Sequence, residues 1–126
     1  MSEVRALIVD DSSVMRKIVE RSLRQAGLEP LAVFEAGSGV EGLDVLRARK
    51  VDIIFSDINM PLMDGLEFVR QLRARKLAEG VPVVMITTES SEEHVKQAIE
   101  AGAMGYIRKP FTADQVKRKV LPLLTA

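Results

Sequence analysis

A doubly wound α/β sheet of five parallel strands is the fold class this sequence predicts, and three observations predict it. Five short apolar runs recur: ALIV (6–9), LAVF (31–34), VDIIF (51–55), VPVVMI (81–86) and MGYI (104–107). They are rich in β-branched residues and mostly lack polar alternation, the pattern of strands buried on both faces. Segments with helical spacing lie between them. Strand and helix therefore alternate throughout, which calls for right-handed crossovers and helices on both faces of a parallel sheet. A chain of 126 residues suits one domain over 1–126, and no linker or second domain is visible.

Each element has its own local signal. The first run ends in two adjacent carboxylates, Asp10 and Asp11. Met15, Ile18, Val19, Ser22, Leu23 and Ala26 then form a helical stripe closed by Gly27. After the second run, Ser38 to Glu41 reads as a capping box that starts the second helix. The third run is followed by Asp64 and Glu67, a cap for the third helix. Ser90 to Glu93 caps the fourth, whose stripe is Val95, Ala98 and Ile99, closed by Gly102. Thr112 to Gln115 caps the fifth, with Val116, Val120, Leu123 and Leu124 on its inner face.

Composition narrows the function classes. Lysine plus arginine equals aspartate plus glutamate at 18 each, so nothing draws the chain toward nucleic acid or anionic lipid. The absence of cysteine excludes disulfides, thiolate metal sites and cysteine nucleophiles. The opening apolar run is too short for a signal-peptide core. No apolar stretch approaches the ~20 residues needed to insert across a bilayer. A cytoplasmic setting is expected.

In a doubly wound sheet, ligands gather at the carboxyl ends of the strands. The first run delivers Asp10 and Asp11 there, the third Asp57, the fourth Thr87 and Thr88, and the fifth Lys109 followed by Pro110. The second, ending at Glu35 and Ala36, offers little. Like charges about 4 Å apart repel by roughly 4 kcal/mol at an effective dielectric of 20. Three gathered carboxylates therefore need a counter-charge. Lys109 supplies one unit, and a hard divalent cation such as Mg2+ supplies two. The lone His94 lies on a helix, so zinc does not fit. Carboxylates, a hydroxyl, an amine and Mg2+ suit phosphoryl transfer, with one of the carboxylates as a possible nucleophile.

These residues carry a resemblance. The motifs LIVDDSSVMRKI (7–18), FSDINMPLMDGLEF (55–68), ITTE (86–89) and AGAMGYIRKPF (101–111) resemble those of response-regulator receiver domains, most closely the single-domain chemotaxis branch. The resemblance covers essentially the whole chain. It implies a flavodoxin-like strand order 2-1-3-4-5, and Asp57 as phosphoacceptor for a histidine kinase. Asp11, Asp57 and the Asn59 backbone carbonyl would hold Mg2+ directly, with Asp10 acting through water. Thr87 and Lys109 would bind the phosphoryl oxygens, and Tyr106 would be the switch aromatic. Asn59 and Glu89 would modulate hydrolysis, and the Lys109–Pro110 bond would be cis. Ile58 stands where some chemotaxis regulators carry tryptophan, and Ser12 and Ser13 where others place an aromatic, both near surfaces that partners use.

The resemblance also implies a monomeric signalling protein rather than an enzyme. No output domain follows the fifth helix, so output is expected through partner contacts. The face of the fourth helix, fifth strand and fifth helix is the expected docking surface, for example for a flagellar switch, and a phosphatase is a further expected partner. This face carries Arg108, Lys109, Lys117, Arg118 and Lys119 against Asp114.

Two other readings fit less well: an aspartyl-nucleophile phosphatase needs a second aspartate where Asn59 stands, and a flavin or nucleotide carrier would not put two carboxylates after its first strand. GSGVEG (37–42) fits the dinucleotide pattern G-x-G-x-x-G but follows the wrong strand. RARK occurs twice, at 47–50 and 73–76, where cations complement helix C-termini.

Overall fold

In the computed structural model, which describes residues 3–88 and 92–125, strands and helices alternate as the sequence predicts. The elements are β1 (Val4–Val9), α1 (Ser13–Gln25), β2 (Leu31–Ala36), α2 (Gly39–Ala48), β3 (Ile53–Ser56), α3 (Gly65–Ala74), β4 (Val83–Thr87), α4 (Glu92–Ala101), β5 (Gly105–Arg108) and α5 (Ala113–Thr125). The five strands pair in parallel in the order β2-β1-β3-β4-β5.

Alternating side chains of each strand face two hydrophobic clusters. Leu7, Val9, Ile54, Val83 and Met85 point to one side and pack with Leu43, Phe68 and Leu72 from α2 and α3. Ala6, Ile8, Phe55, Val84 and Ile86 point to the other and pack with Val19 and Leu23 of α1 and Val116 and Val120 of α5. Both faces of β1, β3 and β4 are thus dry, which is why their sequences are continuously apolar rather than alternating. The outer strands differ from the expectation of full burial. β2 and β5 pair on one side only, and most of their residues are half-buried or exposed.

The caps form largely as the sequence predicts. Ser12 accepts the Met15 N–H at the start of α1, Ser38 the Glu41 N–H at α2, and Asp64 the Glu67 N–H at α3. At α5 the capping box is reciprocal: Thr112 Oγ1 accepts from the Gln115 N–H, and Gln115 Oε1 accepts from the Thr112 N–H. The box at Ser90 starts outside the described residues. On α4, Ala98 is buried but Ile99 is 62% exposed, so Ile99 leaves the predicted inner stripe.

Two sequence patterns gain a packing explanation. A Cβ on Gly39 would meet the Met63 sulfur at 2.7 Å, and one on Gly42 would meet the Phe68 ring at 2.8 Å. Gly42 therefore lets α2 lie against α3 and Gly39 lets it lie against the loop before α3, and the pattern needs no nucleotide. The second RARK does more than complement a dipole. Its first residue, Arg73, donates to the carbonyls of Ala78, Val81 and Gly102, tying the end of α3 to the next loop and to the end of α4.

Candidate functional site

The carboxyl ends of β1 and β3 lie side by side at the middle of the sheet, and this brings the predicted acids together. Asp57 N–H donates to the Val9 carbonyl and Asp10 N–H to the Ala36 carbonyl, so the strand ladders extend into the site. Oxygens of Asp10, Asp11 and Asp57 all lie within 4.8 Å of one another. Asp10 is buried, Asp57 half-buried and Asp11 exposed, so the cluster opens toward solvent on one side.

Lys109 reaches in from the end of β5. Its ammonium lies 3.2 Å from Asp10 Oδ2 and 3.8 Å from Asp57 Oδ2. The Lys109 N–H donates to the Thr87 carbonyl, and the Lys109–Pro110 peptide is cis. Thr87 is fully buried at the end of β4. Lys109 and the three acids thus meet as predicted, with Thr87 on the neighbouring strand end.

Electrostatics single out Asp57. Burial pushes its carboxyl above the ordinary range; Lys109 opposes that, and the Asp10 charge adds to it. The Asn59 N–H donates weakly to Asp57 Oδ1, at 3.4 Å. One lysine does not offset three clustered carboxylates, so the set calls for further positive charge. An all-oxygen donor set of this kind fits a hard divalent cation.

Gly65 shapes the same loop. Its N–H donates to the Ile58 carbonyl at 2.7 Å, and a Cβ there would lie 2.0 Å from the Asp57 carbonyl oxygen. Only glycine permits that approach.

Other residues fall elsewhere. Asn59 is exposed beside the acids, and Glu89 lies outside the described residues. Tyr106 is half-buried on β5; its ring packs against the core and its hydroxyl oxygen is shielded from solvent. Ile58 is 3% exposed and belongs to the core, which corrects its placement near a partner surface: an aliphatic side chain fills space here. The expected basic face needs a similar correction. The Lys109 ammonium turns to the acids, and Arg118 pairs with Asp114 at 3.0 Å. A groove of about 880 Å³ nevertheless lies there, lined in part by Val95, Tyr106, Arg108 and Lys119.

The end of β2 contributes more than the sequence led us to expect. Arg16 donates from Nη1 to the Asp10 carbonyl at 2.6 Å and from Nε to Glu35 at 3.0 Å. Lys17 also reaches Glu35, and its hydrogen bond first, with Arg16 assisting, holds the Glu35 carboxyl below the usual range. Ser12 N–H donates to Asp10 Oδ1.

Comparison with known proteins agrees with this geometry. Residues 6–121 match the response regulator receiver domain family. A chemotaxis protein CheY homolog of Campylobacter jejuni is 42% identical over 122 residues, covering 96% of this chain and 92% of that protein. Among solved structures, the chemotaxis response regulator CheY4 of Vibrio cholerae superposes with a TM-score of 0.85 at 34% identity, covering 98% of this chain and 100% of that one. A CheY-like receiver domain protein from Methanospirillum hungatei gives 0.84 at 30% identity, covering 98% and 95%.

Proposed function

Since the chain belongs to the response-regulator receiver family, the phosphorelay module of two-component signalling, we propose that it is a chemotaxis switch that accepts a phosphoryl group on Asp57. The observation that carries this reading is the meeting of Asp10, Asp11 and Asp57 oxygens within 4.8 Å, with the Lys109 ammonium on two of the three.

In this reading an Asp57 carboxylate oxygen attacks phosphorus in line, with a histidine kinase as donor. The new O–P bond forms as the N–P bond of the phosphohistidine breaks, and the imidazole nitrogen keeps the electron pair. Lys109 offsets charge on the phosphoryl oxygens as it develops. Asp11, Asp57 and the Asn59 carbonyl would hold Mg2+, with Asp10 in support; the ion would supply charge neutralisation on the same oxygens. The product adds a charge of about −1.5 to −2, by analogy with phosphate monoesters. That charge draws Lys109 and the Thr87 hydroxyl. Tyr106, next to them on β5, then changes packing, a population shift between two arrangements. Asn59 and Glu89 set the access of hydrolytic water.

The chain acts by contact, not by turnover of an external substrate. Its target docks on the α4-β5-α5 face around Tyr106, as a monomer in the cytoplasm, and a phosphatase resets it. No helix among the described residues is long and apolar enough to cross a membrane. The 42% identity to a chemotaxis protein over nearly its whole length supports the pathway.

Intact mass after incubation with acetyl phosphate tests the chemistry. One added phosphoryl group is expected, requiring Mg2+ and absent in Asp57→Ala. No addition in the wild type, together with no beryllofluoride complex, would overturn it.

A further inference from the structure

The two RARK segments, far apart in sequence, meet at the end of the sheet opposite the acid cluster. Residues 47–50 close α2 and residues 73–76 close α3, and both border one groove of about 510 Å³. Its floor is aliphatic, from Leu46, Val51, Leu77 and Val81. Its rim carries Arg47, Arg49 and Lys50 on one side and Lys76 on the other, with Glu79 the lone acid in the lining.

Part of this positive charge is engaged within the protein: Arg49 lies over the Phe34 ring, 5.6 Å from its centroid. Arg47 pairs with Asp44 at 2.7 Å, and Arg73 is used on backbone carbonyls. Among the described residues, the rim cations Arg49, Lys50 and Lys76 form no ion pair. Two helix C-termini offset about one positive charge between them, and Glu79 offsets another. Roughly one positive charge remains beside an apolar floor.

The loop that forms one wall is held in an unusual shape. Lys76, Ala78 and Gly80 all have positive φ, at 55°, 52° and 77°. Non-glycine residues persist in that region only where the surroundings hold them there. Arg73 does so, through its bonds to the Ala78 and Val81 carbonyls.

We propose that this groove docks an acidic amphipathic segment of a partner protein, its apolar side chains on the Leu46–Val81 floor and its carboxylates against Arg49, Lys50 and Lys76. The chemistry favours this occupant over the alternatives. An inorganic phosphate would leave the aliphatic floor wet. A nucleic acid would find no aromatic ring in the lining for a base to stack on. The groove lies at the far end of the strands from Asp57, so docking here is independent of the phosphorylation state. It would hold a partner while the α4-β5-α5 face stays free.

The test uses the unphosphorylated full chain, so it stands apart from the switch chemistry. Backbone amide shifts are recorded with a synthetic amphipathic helix bearing Leu on one face and Glu on its flanks. Controls are the same composition scrambled, pyrophosphate, and a short DNA duplex. Saturable shifts confined to 46–51 and 76–81, seen with the amphipathic peptide alone, are expected. K50E/K76E, both exposed, should keep the fold and weaken binding roughly tenfold, and Asp57→Ala should bind as the wild type does. Equal binding of the scrambled peptide, binding of pyrophosphate or DNA in its place, or no shifts at millimolar peptide would each overturn the proposal.

Discussion

Asp57 is held in a setting that disfavours its charged form. Burial raises its affinity for a proton, Asp10 adds to that, and Lys109 only partly opposes it. A carboxyl whose folded-state pKa is raised costs stability once it ionises. The cost is absent below the ordinary value of 3.8 and grows as pH rises from there through the raised range. Asp57→Asn should therefore raise the Tm of the metal-free protein at neutral pH, and the gain should vanish below the ordinary range. Thermal unfolding scans at several pH values would check this; a gain that persists in acid would contradict it. Lys109 has the converse role. Lys109→Met removes the cation nearest Asp10 and Asp57 and should slow phosphorylation by acetyl phosphate roughly 100-fold, read as the rate of mass gain, with the fold retained by circular dichroism.

At the scale of elements, the loop from β3 to α3 has the least tolerance. A Cβ on Gly65 would collide with the Asp57 carbonyl, which is backbone and cannot rotate away. Gly65→Ala should cost on the order of 3 kcal/mol in urea unfolding and displace the Asp57 main chain. Helix starts are more forgiving. Thr112→Ala loses one half of the α5 capping box and should cost about 1 kcal/mol, without changing phosphorylation. The elements were legible because their signals are local: β-branched runs, caps three residues from their partners, and glycines at helix ends. What escaped was set by the third dimension. Spacing groups Ile99 with Val95 and Ala98, yet Ile99 is 62% exposed, and one-dimensional spacing does not show where the sheet ends. The outer strands read as fully buried because β2 and β5 have compositions like those of their inner neighbours. Arg73 reads as a helix-end cation, because its carbonyl partners come from a loop and from the end of another helix.

For the whole molecule, the acids, Thr87 and Lys109 were readable because one topological rule sends every strand's carboxyl end to the same edge. Arg16 and Glu35 were not, since their contact depends on how α1 rolls over the β1 loop. The gathered acids also tie global stability to metal. If Mg2+ binds here at 100 times its Kd, the folded state should gain about 2.7 kcal/mol. Differential scanning calorimetry should show Tm rising with Mg2+ in the wild type and staying flat in Asp10→Asn/Asp57→Asn. An equal rise in both proteins would place the ion elsewhere.

The inner strands β1 and β3 are paired on both sides, whereas β5 is paired on one. The reactive carboxylates sit on the former, and the face read by a target is built on the latter. A substitution that redraws the outer margin but spares Lys109 therefore leaves the phosphoryl chemistry almost untouched, whereas a change near β1 or β3 silences every listener at once. A lineage carrying this scaffold could exchange its audience many times over while inheriting the same voice.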